Sequence, residues 1–312
     1  MTALKGRRAL VTGASGFIGA ALCRALQAAG ASVHGVSRGA RHGGGCDQWW
    51  RSDLTDLGDV RRVVRGAQPD LIFHLASHVA GGRALDMVPS TFQANLTPSV
   101  NLLTAATEIG GARFLLTGSM EEPAPDGDWP IPSSPYAAAK YAASTYARMF
   151  HQLYQTPVTL LRLFMVYGPG QVDVRKLIPH VIISLLAGRA PDLSSGRRLV
   201  DWIYVDDAVR AYLMAAVADK LAGKTLDIGS GNPVAVRTVV ERLRELMQSP
   251  VAPRFDAIPE RPFEQERVAN VGATVLALDW QPQVELDQGL AQTIDWYRAR
   301  FPGSELKTQA GR

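Results

Sequence analysis

The sequence predicts an α/β fold, in which a doubly wound parallel sheet of the Rossmann type is accompanied by a smaller, mostly C-terminal α/β lobe. Strand and helix patterns alternate through the first half of the chain, and a glycine-rich turn joins the first strand to the first helix. The continuous apolar strand over residues 70–76 indicates a sheet covered on both faces. We expect a dinucleotide-binding domain over 1–168, a substrate-binding lobe mainly over 169–302 with some return to the sheet, and a flexible tail over 303–312.

The individual elements follow from hydrophobic periodicity and helix-end signals. In the first domain the pattern predicts strands over 9–12, 32–36, 70–76, 113–117 and 158–164, and helices over 18–29, 56–65, 90–109 and 135–155. The helix over 90–109 is expected to continue through Pro98, and Trp49 and Trp50 are interpreted as loop residues. In the second lobe we expect helices over 177–187, 208–218, 236–247 and 286–300, with strand-like segments over 202–205 and 226–228.

The composition excludes several classes of protein. Of the 312 residues, 46% are hydrophobic and 20% are charged, which is typical of a globular chain and not of a disordered one. Apolar runs stay below the roughly 18 residues that a membrane span requires. The first apolar run, Ala9–Val11, is too short for a secretory signal. We therefore expect a cytoplasmic protein without a membrane partner.

The charged residues and the cysteines argue against two further classes. The chain has 33 basic and 29 acidic residues, a formal net charge of +4, and its lysines and arginines are scattered. A nucleic-acid binder usually gathers them on one face, so no nucleic-acid partner is expected. Two cysteines, Cys23 and Cys46, form neither a disulfide framework nor a metal site, which fits a reducing compartment.

The first chemical signal is the glycine-rich turn after the first predicted strand. The run GASGFIG places three glycines where the backbone must turn tightly and approach a ligand, and it opens a helix whose free N–H groups attract phosphate. The spacing is GxxGxxG rather than GxGxxG. We predict that this turn binds the pyrophosphate of a dinucleotide through Gly13, Ser15, Gly16, Phe17, Ile18 and Gly19.

The end of the second strand bears on the choice between NAD and NADP. A carboxylate there hydrogen-bonds the ribose 2′-hydroxyl, whereas an arginine accommodates a 2′-phosphate. This chain has Ser37 and Arg38, with Arg41 nearby and no acid, which favours NADP(H). The alternative is a solvated arginine beside an NAD(H) site. Asp53 and Leu54 are expected to meet the adenine, unless Asp53 caps the turn that follows it.

Three residues form the candidate catalytic group. Tyr136 and Lys140 are four residues apart and share one helix face. The reference pKa of a phenol is about 10, and we expect the nearby ammonium to lower it, so that Tyr136 exchanges a proton with a sugar hydroxyl or ketone. Ser119 follows a strand and is expected to bond the same oxygen.

These motifs together resemble the extended short-chain dehydrogenases/reductases that act on nucleotide sugars as epimerases, dehydratases and 4-ketoreductases. The resemblance covers nearly the whole chain and includes DLIFHLAS, LLTGSMEE, SPYAAAK, LRLFMVYGPGQ, DWIYVDDA and LDIGSG. It implies a tightly bound NAD(P), catalysis by Ser119, Tyr136 and Lys140, and a lobe that binds a nucleoside diphosphate. It also implies a homodimer formed through helices 90–109 and 135–155, and the alanines of the second helix suit packing against a partner.

The same resemblance implies the remaining site residues. The cofactor contacts include Leu75, Ala76, Ser77, Phe164 and Val166, together with Tyr136 and Lys140. The substrate contacts are His78, Met120, Met165, Lys176, Arg198 and Arg261, and no metal is expected.

Departures from the family pattern narrow the reaction. Dehydratases of the family carry Thr-Asp-Glu or Thr-Ser-Glu at the end of the active-site strand. At the matching position this chain has Ser119-Met120-Glu121. Met120 cannot protonate a leaving hydroxyl, whereas Glu121 remains as a second base or substrate contact. The run GSMEE is similar to the GSSEE of reductases that act on a 4-keto-6-deoxyhexose, so NADPH-dependent 4-ketoreduction is favoured.

Several alternatives stay open. Epimerisation or dehydration with a retained cofactor remains possible, and a non-enzymatic NADP(H) sensor is a remote alternative. Met165 and Val200 stand where the family usually has Asn and Arg. The diphosphate is therefore held differently, or the substrate is not a nucleotide sugar.

Overall fold

The computed structural model describes residues 2–39, 44–79, 82–124 and 130–301. The strands are β1 Arg8–Thr12, β2 Ser32–Ser37, β3 Gln48–Arg51, β4 Leu71–His74, β5 Arg113–Ser119, β6 Val158–Leu163, β7 Met165–Tyr167, β8 Leu199–Tyr204, β9 Thr225–Ile228 and β10 Pro233–Ala235. The helices are α1 Phe17–Ala28, α2 Leu57–Ala67, α3 Met87–Asn95, α4 Thr97–Ile109, α5 Pro135–Tyr154, α6 Leu177–Leu186, α7 Val205–Val217, α8 Val236–Leu246, α9 Val271–Leu278 and α10 Leu286–Arg300.

The chain divides into two compact units that interleave along the sequence. The first contains Met1–Leu163, Val209–Ile228 and Gly272–Trp280, and the second contains Phe164–Ala208, Gly229–Val271 and Gln281–Arg312. The observed boundary falls after Leu163, five residues before the predicted one, because β7 pairs with β8 and not with the large sheet. The predicted tail over 303–312 and Arg41 lie outside the described residues.

The first unit has the predicted doubly wound architecture. Its seven strands lie in the order β3-β2-β1-β4-β5-β6-β9, and every neighbouring pair is parallel. The strand order reverses direction between β1 and β4, which is where open α/β sheets bind their ligands. The sequence prediction of a Rossmann-type parallel sheet is confirmed.

One face of this sheet is covered by α2, α4 and α5. Leu102 and Leu103 of α4, Phe114 of β5 and Ala143 of α5 are buried together in the core on this side. Fully burying a leucine or phenylalanine side chain contributes about 1.5–3 kcal/mol. This packing holds the carboxyl ends of β4 and β5, where the candidate site residues lie.

The prediction of one continuous helix over 90–109 is wrong. The structure has two helices, α3 and α4, with the interruption at Leu96. Pro98 explains the break, because proline has no N–H to donate to the carbonyl of Ala94 and is tolerated only in the first turn of a helix. Pro98 accordingly lies in the first turn of α4.

Two other local predictions also need correction. Trp49 and Trp50 belong to strand β3 and not to a loop. The Trp50 ring lies over Gly66, where a Cβ would come within 2.6 Å of it, and its indole N–H donates to Nδ1 of His34 at 3.1 Å. The strand predicted over 70–76 ends at His74, after which the chain leaves the sheet.

The alanine-rich face of α5 is largely used within the chain. Ala137, Ala139, Ala143 and Ala147 are all buried in the single chain. The alanine pattern therefore reflects packing of α5 onto its own sheet and helices. It does not support the expected packing against a partner subunit.

The second unit is built around a three-stranded sheet. Its strand order is β10-β8-β7, with β7 parallel and β10 antiparallel to β8. The buried Asp201 of β8 accepts hydrogen bonds from the backbone N–H groups of Ser230, Gly231 and Ala269 at 2.6–3.0 Å, and from the Ser230 hydroxyl at 2.8 Å. One carboxylate therefore organises two separate loop segments.

Among the residues that the structure describes, no helix has the length and apolar character needed to cross a membrane. Within the same residues, no cluster of three or more histidine, cysteine or acidic side chains is arranged to hold a metal ion.

Candidate active site

The glycine turn has the geometry that a pyrophosphate requires. Gly13 adopts φ +70°, and a Cβ there would lie 2.7 Å from the backbone nitrogen of Ala76. A Cβ on Gly19 would lie 2.1 Å from the carbonyl oxygen of Gly13. Helix α1 starts after Gly16 without a side-chain cap, so its first N–H groups remain available to an anion. The residues present therefore fit a bound dinucleotide.

A hydrogen-bonded network orders the end of β4 beside this turn. The buried His74 bonds the Thr12 hydroxyl at 2.7 Å and the Ser99 hydroxyl at 2.9 Å, and burial lowers its pKa to about 3. Asn95 accepts from the Ser77 hydroxyl at 2.9 Å and from the backbone N–H of His78 at 2.6 Å. Since His74 stays neutral near pH 7, it acts as a structural link between β1, β4 and α4.

The predicted catalytic residues are brought together at the ends of β4 and β5. The Tyr136 hydroxyl lies close enough to the side chains of Ser119 and Ser77 for both to influence its pKa. The Lys140 ammonium lies behind this group and donates to the carbonyl oxygen of Thr117 at 2.6 Å. Ser119 is the last residue of β5, and its hydroxyl accepts from the N–H of Glu121 at 3.2 Å.

The pKa values correct one expectation about this group. Burial raises the pKa of Tyr136 to about 12, against the opposing effect of its bonds to Ser119 and Ser77. The expectation that Lys140 lowers the pKa of Tyr136 is therefore wrong for the chain by itself. Burial also lowers the pKa of Lys140 to about 8, although the negative charge of Glu122 opposes this shift.

The residues around Ser119 differ in how deeply they are buried. Glu121 is half-buried and its negative charge raises the pKa of Tyr136. Met120, predicted as a substrate contact, is buried, and its N–H donates to the carbonyl oxygen of Leu163 at 2.9 Å. Leu75, Ala76 and Ser77 are half-buried after β4, whereas His78 is exposed.

A polar cavity of about 500 Å³ adjoins the ends of β2 and β3. Its lining residues are Arg38, Arg51, Ser52, Asp53, Asp59 and Arg62. Asp53 accepts from both the N–H and the hydroxyl of Thr55, at 3.0 and 2.8 Å, which lowers its pKa. Asp53 therefore closes a turn as well as lining the cavity, and Leu54 packs against the core of the sheet.

The cavity contains two arginines that the sequence reading missed. Arg51 ends β3, and Arg62 of α2 donates to its carbonyl oxygen at 2.9 Å. Arg62 also pairs with Asp59. The predicted Ser37 hydroxyl donates to the carbonyl oxygen of Gly39 at 2.5 Å. Arg51 could have been identified from the sequence, because it ends a strand that lies next to the second strand.

The remaining predicted residues belong to the second unit. Arg198 lies 3.2 Å and Arg261 lies 3.9 Å from the carboxylate of Glu264. Lys176 precedes α6, and burial lowers its pKa, with Arg261 adding to the effect. The unit thus places two of its predicted substrate contacts, Arg198 and Arg261, beside one acid, and Lys176 lies near enough to Arg261 for its pKa to be lowered by it. Met165 and Val166 are half-buried in β7, and Phe164 is buried.

The parallel sheet, the glycine turn after β1 and the grouping of Ser119, Tyr136 and Lys140 are typical of the extended short-chain dehydrogenases/reductases. Residues 9–229 match the model of the NAD dependent epimerase/dehydratase family. The chain belongs to this family and is an enzyme of it.

Known relatives agree with this assignment. The chain is 30% identical to UDP-glucose 4-epimerase of Mycolicibacterium smegmatis over 311 residues, covering 93% of this chain and 98% of that protein. The structure of a UDP-glucose 4-epimerase of Thermotoga maritima with UDP-glucose is similar, with a TM-score of 0.85, 25% identity and coverage of 94% and 99% of the two chains. A dTDP-glucose 4,6-dehydratase of Streptomyces venezuelae with bound NAD has a TM-score of 0.84, 27% identity and coverage of 96% and 99%.

Proposed function

We propose that this enzyme oxidises and reduces a secondary-alcohol carbon of a nucleotide sugar, with Tyr136 as the acid/base. The observation that carries the proposal is the grouping of Tyr136 with Ser119 and Ser77, whose side chains influence the pKa of its hydroxyl, on the helix that also carries the buried Lys140. A substrate oxygen that replaces one serine bond of Tyr136 can exchange a proton with it. A general acid or base of this kind contributes about 10²- to 10⁴-fold to the rate.

Each residue of the group has a distinct part in this chemistry. Tyr136 holds the proton that moves to or from the substrate oxygen, and Ser119 orients that oxygen. A bound NAD(P) supplies or accepts the hydride, and its oxidised ring adds a positive charge. The Lys140 ammonium is a buried cation on the same helix that donates to the carbonyl oxygen of Thr117, and in the chain by itself it does not lower the pKa of Tyr136.

A nucleotide sugar is supported by the basic residues of the second unit and by the relatives. Lys176, Arg198 and Arg261 offer positive charge to a diphosphate, with Glu264 between the two arginines as a neutralising group. The Thermotoga maritima relative binds UDP-glucose. Met165 removes the amide that the family usually provides, so we infer that these basic side chains hold the diphosphate.

Two forms of the reaction have support. The 30% identity to a UDP-glucose 4-epimerase favours 4-epimerisation with a retained cofactor. The arginine-lined cavity favours NADPH and hence 4-ketoreduction, in which the cofactor is exchanged at each turnover. Dehydration has less support, because Met120 replaces the acid that protonates a leaving hydroxyl.

The epimerase and the reductase forms of the reaction can be distinguished by identifying the bound cofactor and the product. The purified protein is denatured to release and identify its dinucleotide, then incubated with UDP-glucose alone, or with NADPH and a dTDP-4-keto-6-deoxyhexose. Retained NAD and the formation of UDP-galactose would establish the epimerase. Exchangeable NADPH consumed with the keto sugar would establish the reductase. If neither these sugars nor a wider panel of nucleotide sugars reacts, the proposed substrate class is wrong.

The 2′-phosphate of NADP is the proposed ligand of the arginine-lined cavity. We expect Arg38→Ala to weaken NADPH binding by about 10- to 100-fold, since hydrogen bonds to charged groups contribute about 1.5–3 kcal/mol. NADH binding should stay within about twofold, because NADH has no 2′-phosphate. Titration by fluorescence measures both. Arg148→Ala, at an exposed position of α5, is the matched control, and equal losses for the two cofactors would contradict the assignment.

A homodimer through α3, α4 and α5 remains part of the proposal. Its support is the exposed apolar side chains of Val88 and Phe92 on α3 and of Leu153 on α5, and not the buried alanines. We expect light scattering to give twice the chain mass of 33.7 kDa. A monomeric mass at micromolar concentration would contradict this part.

A further inference from the structure

A chain of buried polar side chains runs from the end of β1 to the segment that follows β4. Thr12, His74, Asn95 and Ser99 are each at most 2% exposed. The backbone N–H of Ala76 donates to the Thr12 hydroxyl oxygen at 3.2 Å. At the other end, the Ser99 hydroxyl donates to the carbonyl oxygen of Asn95 at 3.0 Å. The chain therefore ties the segment after β4 to the last residue of α3.

His74 joins the two ends of this chain as a neutral imidazole. Thr12 accepts from Ala76, so its own hydrogen can go to Nδ1 of His74, at 2.7 Å. The Ser99 hydrogen goes to Asn95, so its oxygen can accept from Nε2 of His74, at 2.9 Å. An imidazole with its hydrogen on Nε2 gives both hydroxyl groups an acceptor. We assign this tautomer to His74.

The Asn95 side chain holds the segment after β4 by three hydrogen bonds. Its Oδ1 accepts from the backbone N–H of His78 at 2.6 Å and from the Ser77 hydroxyl at 2.9 Å. Its Nδ2 donates to the carbonyl oxygen of His78 at 3.1 Å. The amide cannot be turned over, because its NH₂ group would then face the N–H of His78. An amide oxygen carries no hydrogen, so Ser77 is the donor in its bond to Asn95.

This bond determines how Ser77 can meet a ligand. Its single hydrogen is committed to Asn95, and the lone pairs of its oxygen remain to accept a hydrogen bond. Ser77 is half-buried and follows Ala76, whose backbone nitrogen would lie 2.7 Å from a Cβ on Gly13. Ser77 therefore lies beside the glycine turn.

The sheet topology indicates which half of a dinucleotide reaches this place. In a doubly wound sheet the two mononucleotide halves lie on either side of the point where the strand order reverses, here between β1 and β4. The adenosine half is expected at the ends of β2 and β3, where the arginine-lined cavity lies. The segment after β4 is consequently on the nicotinamide side.

We propose that Ser77 accepts a hydrogen bond from the nicotinamide half of the dinucleotide, from a ribose hydroxyl or the carboxamide N–H, and that Asn95 is the positioning residue that commits the Ser77 proton. This inference deepens the proposed function and rests on it for the dinucleotide but not for the sugar. The influence of Ser77 on the pKa of Tyr136 agrees with a place beside the reacting groups.

The test uses three probes that extend stepwise along the dinucleotide: ADP, ADP-ribose and NADH. Each is titrated calorimetrically into the full chain, freed of any dinucleotide that co-purifies, and 2′-phosphorylated forms are used if NADPH binds more tightly. We expect Ser77→Ala to weaken NADH binding by about 3- to 10-fold and to leave ADP binding within about twofold, since one neutral hydrogen bond is lost. An equal loss for ADP-ribose identifies a ribose hydroxyl as the donor, and unchanged ADP-ribose binding identifies the carboxamide.

Variants of Asn95 test the positioning role. Asn95→Ala should show the same selective loss, and the double variant with Ser77→Ala should lose no more than Asn95→Ala alone, because Asn95 acts through Ser77. Asn95→Asp keeps an acceptor for the Ser77 hydrogen and should bind NADH within about threefold of the parent, which supplies the test if Asn95→Ala does not fold. Ser90→Ala, at an exposed position of α3, is the matched control.

Three results would overturn the proposal: unchanged NADH binding by Ser77→Ala, equal losses for ADP and NADH, or additive losses in the double variant. Ser77→Thr keeps the hydroxyl and should bind NADH within about threefold of the parent, so an equal loss from Ser77→Thr and Ser77→Ala would also contradict it. A parent protein that binds no dinucleotide would refute the inference together with the proposed function. A protein that binds dinucleotide but turns over no nucleotide sugar would refute the proposed substrate class alone.

Discussion

Tyr136→Phe is expected to lower turnover by about 10²- to 10⁴-fold, because the variant has no proton to exchange with the substrate oxygen. The substitution removes only the hydroxyl and keeps the aromatic ring in the first turn of α5, so we expect the fold of this helix to be unchanged. Dinucleotide affinity should remain within a few-fold of the parent value. Turnover is measured with whichever nucleotide sugar reacts in the substrate assay described above, and cofactor binding is measured by fluorescence titration.

Tyr146→Phe is the matched control for this substitution. Tyr146 lies on the same helix and is 40% exposed, so its hydroxyl can be removed without touching the catalytic group. We expect parent turnover from this variant. If Tyr136→Phe retained turnover while binding cofactor normally, Tyr136 would not be the acid/base, and a cofactor-binding sensor would become the better description.

Gly13→Ala is expected to prevent dinucleotide binding and to lower the free energy of unfolding by about 2–4 kcal/mol. At φ +70° an L side chain is strained, and the added Cβ would meet backbone atoms of Ala76 and Leu75 at 2.7 and 2.8 Å. Backbone atoms cannot rotate away as a side chain can. The ends of β1 and β4 would therefore have to separate, which disturbs the turn that receives the pyrophosphate.

Denaturant unfolding monitored by circular dichroism measures this loss, with Gly39→Ala as its control. A Cβ on Gly39 would meet nothing within 4 Å, and its backbone lies outside the left-handed region. That variant should unfold within about 0.5 kcal/mol of the parent. Equal stability of the two variants would show that the close approach of Gly13 to Ala76 does not constrain the turn.

The parallel sheet could be predicted because its strands are continuous apolar runs, as a doubly covered sheet requires. Elements that depend on tertiary contacts were harder to predict. Strands β7 and β10 have three residues each and exist through pairing with β8. The sequence analysis expected some return of the second lobe to the sheet but could not name the segments, since periodicity does not report which strands pair.

The candidate site likewise contains residues that could be predicted from the sequence and residues that could not. Tyr136 and Lys140 follow from helical spacing, and Ser119 follows from its place at a strand end. The burial of Glu122 could not be predicted, because an acid after a strand is ordinarily a solvated residue, whereas here its carboxylate accepts from the backbone N–H of Ser119. Four of the six alanines of α5 are buried within the chain, whereas Ala138 is exposed and Ala142 half-buried, since small residues favour close packing without identifying what packs there.

The way Asp201 holds its loops has a consequence for how this enzyme can diversify. Three of the four hydrogen bonds that its carboxylate accepts come from main-chain N–H groups, those of Ser230, Gly231 and Ala269. Such an anchor places no demand on the side chains of Gly231 and Ala269 through those bonds. The bonds to Asp201 would therefore survive a change of side chain, whereas the φ of +77° at Gly231 and the burial of Ala269 restrict which residues can occupy these two positions, so variation in specificity is directed to the other residues of the two segments.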